Sequence, residues 1–275
     1  QRRTGRAAYD MSTLLCAEGL RHERRGAMHI YARADLPAEM LLATLAEPGT
    51  PLKVSRKSTL RRVGPWAVKT SAGSTLVQAV RLNAARERYR QAWRAAHHLE
   101  AHGVLVPPPL AYLETRRLGL VWGNVYVAGF LEDHVNVEVY AERLAERAGA
   151  QHVAAFLGGL AQAVNRLNAS GAYHADLSGK NIFTHDGRRF YFLDLDAVSL
   201  DTTYTRELRK KNHVQLYDSF CDLYSDALMV PFIEAMLDGA DDLRVWMPAV
   251  RAAQRQRRAR IEAIWERQAL RTRQG

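Results

Sequence analysis

Polar interruptions divide the amino-terminal part of the chain into short segments. Residues 1–46 predict short helices, because polar breaks at residues 21–26 and 47–49 separate their apolar positions. Two short apolar runs follow, and they predict strands at residues 52–56 and 66–70 joined by a polar turn. The pattern therefore changes from helix to strand after residue 49.

A long helix is predicted after the second strand. Thr75 and Gln78 form a capping box at its start, and Gly103 is a stop signal at its end. Its buried face is predicted from residues at helical spacing: Ala85, Tyr89, Ala92, Ala96 and Leu99. Three consecutive prolines then make residues 104–109 extended, because proline is excluded from a helix interior.

The second half of the chain is mostly helical in pattern. Before it, residues 118–131 predict two strands joined by a hairpin turn at Gly123 and Asn124. The later predicted elements are helices at 138–147 and 151–169, strands at 181–184 and 190–195 around a turn at 185–187, and helix beyond Glu207. Strand-rich residues followed by helix-rich residues predict an α+β protein.

This order of elements predicts an α+β plan with two lobes. The smaller lobe has an antiparallel sheet with one long helix, and the larger lobe is mainly helical. The predicted boundaries are an amino-terminal extension at 1–46, a small lobe at 47–131, a large lobe at 132–240 and a basic carboxy-terminal helix at 241–275.

Composition excludes several classes of protein. The 275 residues are 47% hydrophobic, which is too much for a mainly disordered chain, yet no apolar run is long enough to span a membrane. Cys16 and Cys221 are the only cysteines and lie far apart, so no disulfide scaffold is expected. No signal peptide is visible, and we expect a cytoplasmic protein, although a chain that starts at Gln1 is compatible with removal of an upstream segment.

The charge balance favours anionic partners. The 39 Lys and Arg residues exceed the 29 Asp and Glu residues, which gives a net charge of +10. A high arginine content is also a common result of genome base composition. The net charge by itself therefore does not indicate a function. No platform of aromatic and basic residues for nucleic acid is evident, and no nucleic-acid partner is expected.

Two segments carry the chemistry, Tyr173–Phe183 and Phe192–Asp196. Asn181 follows Asp176 by five positions, and Asp194 follows Asn181 by 13. Phosphoryl transfer needs such a set, because one carboxylate accepts the proton of the attacking hydroxyl while an amide oxygen and a second carboxylate hold Mg²⁺ against the nucleotide phosphates. The predicted hairpin between Asn181 and Asp194 brings these two ligands side by side.

The first segment resembles the protein-kinase catalytic loop, His-x-Asp-Leu-x-x-x-Asn, which a metal-binding Asp follows. The resemblance implies a protein-kinase-like two-lobed fold, in which Asp176 is the catalytic base and Asn181 and Asp194 bind Mg²⁺. The alternative is that His174, Asp176 and Asn181 only cap a turn. Kinases also hold the nucleotide phosphates with a strand lysine, and Ala67-Val68-Lys69 matches that pattern, with a surface lysine as the alternative.

The sequence departs from protein kinases in two places. No Gly-x-Gly-x-x-Gly is present, and the hydroxyl of Ser55 and the amine of Lys57 are candidates to cover the phosphates instead. Asp194-Leu195-Asp196 replaces Asp-Phe-Gly and no Ala-Pro-Glu follows, so we expect a small-molecule or glycan acceptor rather than a peptide. Lys180 is a candidate to neutralise the transferring phosphate, and a plain surface lysine is the alternative.

The chain resembles the lipopolysaccharide core kinases, which phosphorylate Kdo or heptose, over roughly residues 52–268. The matching pieces in order are Ala67–Lys69, Trp93–Ala95, His102–Val104, His174–Asp176, Leu193–Asp196, Lys211–Tyr217 and the Trp-containing basic helix. The resemblance implies ATP, Mg²⁺ and an anionic glycan or glycolipid acceptor. In that family a Glu pairs with the strand lysine at the position of Ala92. Here Glu87 is the nearest substitute partner for Lys69, and helical geometry places it on the polar side of the helix with Arg90 and Arg94. A solvated Glu is the alternative.

Other interpretations remain open at this stage. A related small-molecule kinase of the antibiotic type, a protein kinase, or a kinase-shaped regulator without turnover would share these motifs. The basic helix at Arg244–Arg273 either packs on the domain or lies on the anionic surface of the inner leaflet as a peripheral contact. The sequence does not predict the sugar, the hydroxyl or the oligomeric state.

Overall fold

The structure is a computed structural model, and it describes residues 14–55, 58–72, 75–200 and 202–273. The side chains of residues 72, 81, 84–87, 268 and 270–273 lie outside the description. The chain forms two compact units. The first holds the residues up to Glu132 together with Asp194–Val198, and the second holds Asp133–Leu193 and the residues from Ser199 onward.

Among the described residues of the first unit, seven strands form one antiparallel sheet. They are β1 Leu20–Arg25, β2 Met28–Arg33, β3 Thr50–Val54, β4 Thr59–Val63, β5 Trp66–Ala72, β6 Pro109–Arg117 and β7 Leu120–Gly129. Their order across the sheet is β1-β2-β6-β7-β5-β4-β3. The sheet places Lys69 on β5, opposite Tyr126 of the neighbouring β7.

The predicted short helices at residues 1–46 are wrong for residues 20–33, which form the β1–β2 hairpin. The polar run at residues 21–26 was predicted to be a break between helices, but most of it forms the edge strand β1. Charged side chains on an edge strand reach solvent and discourage pairing with other chains. The helix α1, Ala38–Ala46, follows this hairpin. Residues 1–13 lie outside the description.

The predicted hairpin turn at Gly123 and Asn124 is also wrong. Both residues lie inside β7, and the turn is at Leu118 and Gly119, whose φ angles are +50° and +77°. Two consecutive positive φ angles match the twist of a tight two-residue hairpin. Gly supplies one at no steric cost, whereas Leu118 is fully exposed and gives no sequence signal for the other.

Alternating side chains of the sheet pack on opposite faces. Ile30, Val68 and Leu113 belong to the cluster that contains Leu41 of α1. Tyr31 and Tyr112, one residue out of phase, belong to the cluster that contains Trp93. A period of two therefore gives the sheet two apolar faces, and each face covers part of the core.

The long helix predicted after β5 is confirmed as α2, Leu76–Ala101. Thr75 accepts a hydrogen bond from the Gln78 N–H, as the capping signal predicts, and Gly103 after the helix has a φ of +69°. Of the predicted buried face, Ala96 and Leu99 are buried, Tyr89 and Ala92 are half-buried, and the Ala85 side chain lies outside the description. Trp93 replaces Ala92 as the buried residue at the middle of the helix.

A buried ion pair attaches α2 to β6. The Arg90 guanidinium donates to both carboxylate oxygens of Glu114, at 2.7 and 2.9 Å, and Arg116 donates to the same carboxylate. Glu114 is fully buried, although the sequence placed Arg90 on the polar face of the helix. Burial alone would raise the pKa of Glu114, but the hydrogen bonds and charges of Arg90 and Arg116 outweigh it and lower the pKa to about 2.

The second unit is mainly helical. Its helices are α3 Val137–Arg147, α4 Ala150–Ala169, α5 Arg206–Phe220, α6 Asp226–Leu237 and α7 Leu243–Arg273. The short strands β8 Val135–Asn136, β10 Ile182–Thr184 and β11 Tyr191–Phe192 pair with one another, and the other short strands are β9 Tyr173–His174 and β12 Val198–Ser199. The predicted turn at residues 185–187 joins β10 to β11, where Asp186 accepts from the N–H groups of Arg188 and Arg189.

Replacing Glu114 with Gln should destabilise the protein. The change leaves the Arg90 charge buried without a carboxylate, and loss of one partner of a buried pair costs about 3–5 kcal/mol. Because the folded pKa of Glu114 is lowered from 4.5, its contribution to stability is complete above pH 4.5 and declines as the pH falls towards about 2. Denaturant unfolding at pH 7 and at pH 3 measures the free energy of unfolding of both proteins. The difference between the wild type and Glu114→Gln should be smaller at pH 3 than at pH 7.

The matched control is Glu23→Gln, which removes a carboxylate that pairs with Arg21 and Arg25 at the surface. This control should unfold at nearly the wild-type denaturant concentration. Equal stability of Glu114→Gln and Glu23→Gln would show that the buried pair does not hold α2 to the sheet.

Candidate active site

The predicted catalytic loop lies in the second unit, between β9 and a 3₁₀ turn at Gly179–Asn181. Asp176 and Lys180 are exposed, whereas Leu177 between them is fully buried. The loop therefore keeps its polar side chains in solvent and attaches itself to the domain through one apolar residue.

His174 is buried and both of its ring nitrogens are engaged. Nε2 lies 2.8 Å from the carbonyl oxygen of Leu193, and Nδ1 lies 3.2 Å from the backbone nitrogen of Asp176. A carbonyl oxygen only accepts and a backbone N–H only donates, so the proton is on Nε2. His174 thus braces the loop, and the same ring bonds the residue that precedes Asp194.

Three polar side chains of α5 support the loop. Gln215 accepts from the Leu177 N–H at 3.0 Å and donates to the Ala175 carbonyl at 2.9 Å, which brackets Asp176 on both sides. Asn212 donates to the carbonyl of His174, and Ser219 accepts from the Gly179 N–H. Residues 212, 215 and 219 share one face of the helix, because they stand three and four positions apart.

Asn181 is bonded to the proposed base. Its Nδ2 donates to the backbone carbonyl of Asp176 and to Asp176 Oδ2, each at 2.9 Å. Because a carbonyl oxygen only accepts hydrogen bonds, the Asn181 atom that contacts it is the nitrogen Nδ2, and the other terminal atom of the amide is Oδ1. The two hydrogen bonds hold the Asp176 carboxylate in place, and the Asn181 amide oxygen is directed away from that carboxylate.

Lys69 and Asp194 both belong to the first unit. Lys69 Nζ lies 3.8 Å from Asp194 Oδ1, and both side chains are partly exposed. Asp194 has a φ of +57°, in the left-handed region that Asp adopts more readily than most other residues with a side chain. Asp194 is the N-cap of the 3₁₀ turn Leu195–Ala197. Within this turn Asp196 pairs with Arg88 of α2, and a guanidinium nitrogen lies 3.1 Å from Asp196 Oδ2.

The remaining predicted residues are less informative. Ser55 is exposed and its hydroxyl bonds Ser58, accepting from the backbone N–H at 3.0 Å, so it orders the turn between β3 and β4. Lys57 lies outside the described residues. Glu87 lies in α2 with its side chain outside the description, so its pairing with Lys69 stays a prediction.

Asn181 and Asp194 are the predicted ligands of Mg²⁺. Among the described residues no group of three or more His, Cys, Asp and Glu is arranged to hold a metal ion. The predicted set differs from such a group, because it combines one amide oxygen and one carboxylate with the phosphates of the nucleotide. Amide and carboxylate oxygens are hard ligands of the kind that Mg²⁺ prefers, and the binding of Mg²⁺ by these two residues stays a prediction.

The sequence also matches a known family of proteins. Residues 55–235 match the sequence pattern of the lipopolysaccharide kinase (Kdo/WaaP) family, which is more than half of the chain. The chain belongs to this family. The predicted family is thereby confirmed, and the chain is a kinase.

A solved structure described as "WaaP in complex with acyl carrier protein" has a similar fold. Its TM-score is 0.59 at 20% sequence identity, and the match covers 78% of this chain and 90% of that chain. The likeness confirms the predicted protein-kinase-like fold. No curated protein matches the chain.

In the part of this kinase that the structure describes, no helix combines the length and the apolar content needed to cross a bilayer. The exposed apolar side chains at the end of α7 include Ile264 and Trp265.

Sequence reasoning missed the supporting role of α5. The run Lys211–Tyr217 entered only as part of the family resemblance, and no local signal says that Asn212 and Gln215 bond a loop almost 40 positions earlier. The one indication in the sequence is that Asn212, Gln215 and Ser219 stand three and four positions apart on a helix with a buried face. This spacing predicts a polar strip on the helix but not its partner. Asn212 is fully buried, which requires hydrogen-bond partners.

Replacing Gln215 with Ala should lower kcat with little effect on the KM for ATP. The change removes both hydrogen bonds that bracket Asp176, and misplacement of a catalytic group by about 1 Å costs roughly 100-fold in rate. Steady-state phosphate transfer from labelled ATP measures the effect, and thermal unfolding measures the structural cost.

Asn165→Ala is the matched control, because Asn165 also donates to a backbone carbonyl, that of Ala235, but does not contact the loop. A comparable fall in Tm with unchanged kcat is expected for the control. If both variants lose the same fraction of kcat, Gln215 has no specific role in placing Asp176.

Proposed function

We propose that this kinase transfers the γ-phosphoryl group of ATP to a sugar hydroxyl of the lipopolysaccharide inner core, on Kdo or heptose. The observation that carries the proposal is the loop in which Asn181 bonds Asp176 while His174 and Gln215 fix the backbone on either side. Family membership supports the lipopolysaccharide acceptor.

The nucleotide roles fall to three side chains. We assign Lys69 to the phosphates of ATP, because it is a partly exposed cation on β5 beside Asp194. Asn181 and Asp194 are assigned to Mg²⁺ through their side-chain oxygens. When bound, Mg²⁺ neutralises charge on the phosphate oxygens.

Asp176 is the proposed base. It accepts the proton of the acceptor hydroxyl as the hydroxyl oxygen forms a bond to the γ-phosphorus, and the bond from that phosphorus to the bridging oxygen breaks with release of ADP. Lys180, which is exposed in the 3₁₀ turn of the same loop, is the cation that we assign to neutralise the phosphate during transfer. Most of the rate enhancement then comes from positioning and charge neutralisation.

The acceptor accounts for the basic surface. A lipopolysaccharide precursor is an anionic glycolipid, and a net charge of +10 raises its local concentration. Peripheral contact with an anionic bilayer stays a prediction. On α7 it has the support of Ile264, which is 41% exposed, and of the exposed Arg255 and Arg260.

Asp176→Asn should remove transfer while ATP binding persists. Loss of a general base lowers kcat by about 10²- to 10⁴-fold, whereas the amide keeps the shape of the side chain. The measurement is incubation with labelled ATP and truncated core acceptors, with mass analysis for one added phosphate, beside thermal shift with ATP and Mg²⁺.

The control for this variant is Asp238→Asn. Asp238 is exposed at the end of α6 with a φ of +51°, which Asn accepts readily, so activity should be unchanged. Wild-type turnover by Asp176→Asn would refute the assignment of the base, and absence of phosphate on every core acceptor would refute the proposed substrate class.

A further inference from the structure

A cleft of about 520 Å³ lies in the second unit beside the catalytic loop. Ser178 and Lys180 of the loop line it, together with Gln215 and Ser219 of α5 and with residues of α7. Gln215 is the side chain that brackets Asp176, so the cleft adjoins the segment that carries the proposed base.

Buried contacts fix α7 against α5 above this cleft. The Trp246 indole N–H donates to His213 Nδ1 at 2.9 Å, and both side chains are fully buried. Further along α7, Arg257 and Arg258 both pair with Asp218 of α5, and Arg258 Nε lies 2.5 Å from Asp218 Oδ1. The two guanidinium groups are therefore held in place before any ligand arrives.

The polar groups of the cleft are balanced in charge. Its cations are Lys180, Arg257 and Arg258, and its carboxylates are Glu138, Asp218 and Glu262. A simple anion such as phosphate would meet three carboxylates here. The hydroxyl groups of a neutral ligand fit this cleft better than an anion does, because each hydroxyl both donates and accepts hydrogen bonds. They can therefore pair with the cationic donors and with the carboxylate acceptors of the lining.

An apolar edge completes the cleft. Ile261 and Trp265 stand four positions apart on α7 and both line it, and the Trp265 side chain is 67% exposed. The C–H face of a pyranose ring is apolar, and a flat indole offers a matching surface. Hydroxyl partners and an aromatic ring within one cleft together describe a site for a sugar.

We propose that this cleft binds one sugar residue of the acceptor, with the ring against Trp265 and its hydroxyls on Arg257, Arg258 and Glu262. The proposal rests on the proposed function, because the cleft adjoins the loop of Asp176. It adds specificity-determining residues on α7, which spans Leu243–Arg273 and so lies beyond residue 235, where the family match ends.

The test measures binding without nucleotide, so that no turnover takes place. The probe is a deacylated, dephosphorylated lipopolysaccharide inner-core oligosaccharide, titrated calorimetrically into the full chain. Trp265→Ala should weaken its affinity by about 3- to 10-fold, the range for one aromatic contact. In turnover the same variant should raise the KM for the oligosaccharide and leave kcat and the KM for ATP unchanged.

Val245→Ala is the control, because Val245 is also an exposed apolar side chain of α7 but does not line the cleft. It should bind the oligosaccharide as the wild type does. Arg257→Ala is a second variant, since loss of a hydroxyl partner should also weaken binding, and thermal unfolding checks that each variant is folded.

Three results would overturn the proposal. The first is no binding of the oligosaccharide by the wild-type chain, and the second is equal binding by Trp265→Ala. The third is a Trp265→Ala variant that binds the oligosaccharide normally but loses affinity for anionic phospholipid vesicles. That result would assign the indole to a membrane surface. Failure of the proposed function is recognised separately, as an absence of phosphate transfer to any core acceptor.

Discussion

One buried imidazole fixes the backbone beside two of the proposed site residues. His174 donates from Nε2 to the carbonyl of Leu193, which precedes Asp194, and accepts at Nδ1 from the N–H of Asp176. The ring is rigid and both nitrogens are engaged, so the loop and the end of β11 are held at a distance that the imidazole sets. Phosphoryl transfer depends mainly on placement of groups, which is why a side chain without a chemical role at the reacting atoms matters so much.

Local sequence signals predicted the elements whose cause is local. The Thr75 cap, the Asp186 turn and the strand that carries Lys69 each depend on a few adjacent residues, and each is present. The errors have non-local causes. The strand β1 is polar because it is the edge strand of the sheet, and Arg90 is buried because Glu114, 24 residues later, provides a carboxylate. No pattern in α2 alone indicates that partner.

The candidate site divides in the same way. The order and spacing of Asp176, Asn181 and Asp194 sufficed to select phosphoryl transfer, because these residues lie in one continuous stretch. The helix α5 and the cleft beside it needed the structure, since Gln215 and Arg258 act on residues about 40 positions away. Lys180 belongs both to the proposed catalytic loop and to the lining of the cleft, so the two adjoin each other. We propose that the loop supplies the chemistry and that the cleft selects the acceptor.

The central claim is that Asn181 and Asp194, and not Asp176, hold the metal of the nucleotide. Mn²⁺ in place of Mg²⁺ tests it directly, through electron paramagnetic resonance of the bound ion with a non-hydrolysable ATP analogue. Asn181→Ala and Asp194→Ala should each weaken Mn²⁺–nucleotide binding by roughly 10-fold or more, with no such loss in Asp176→Asn. Equal binding by all three variants and the wild type would contradict the assignment of the metal ligands.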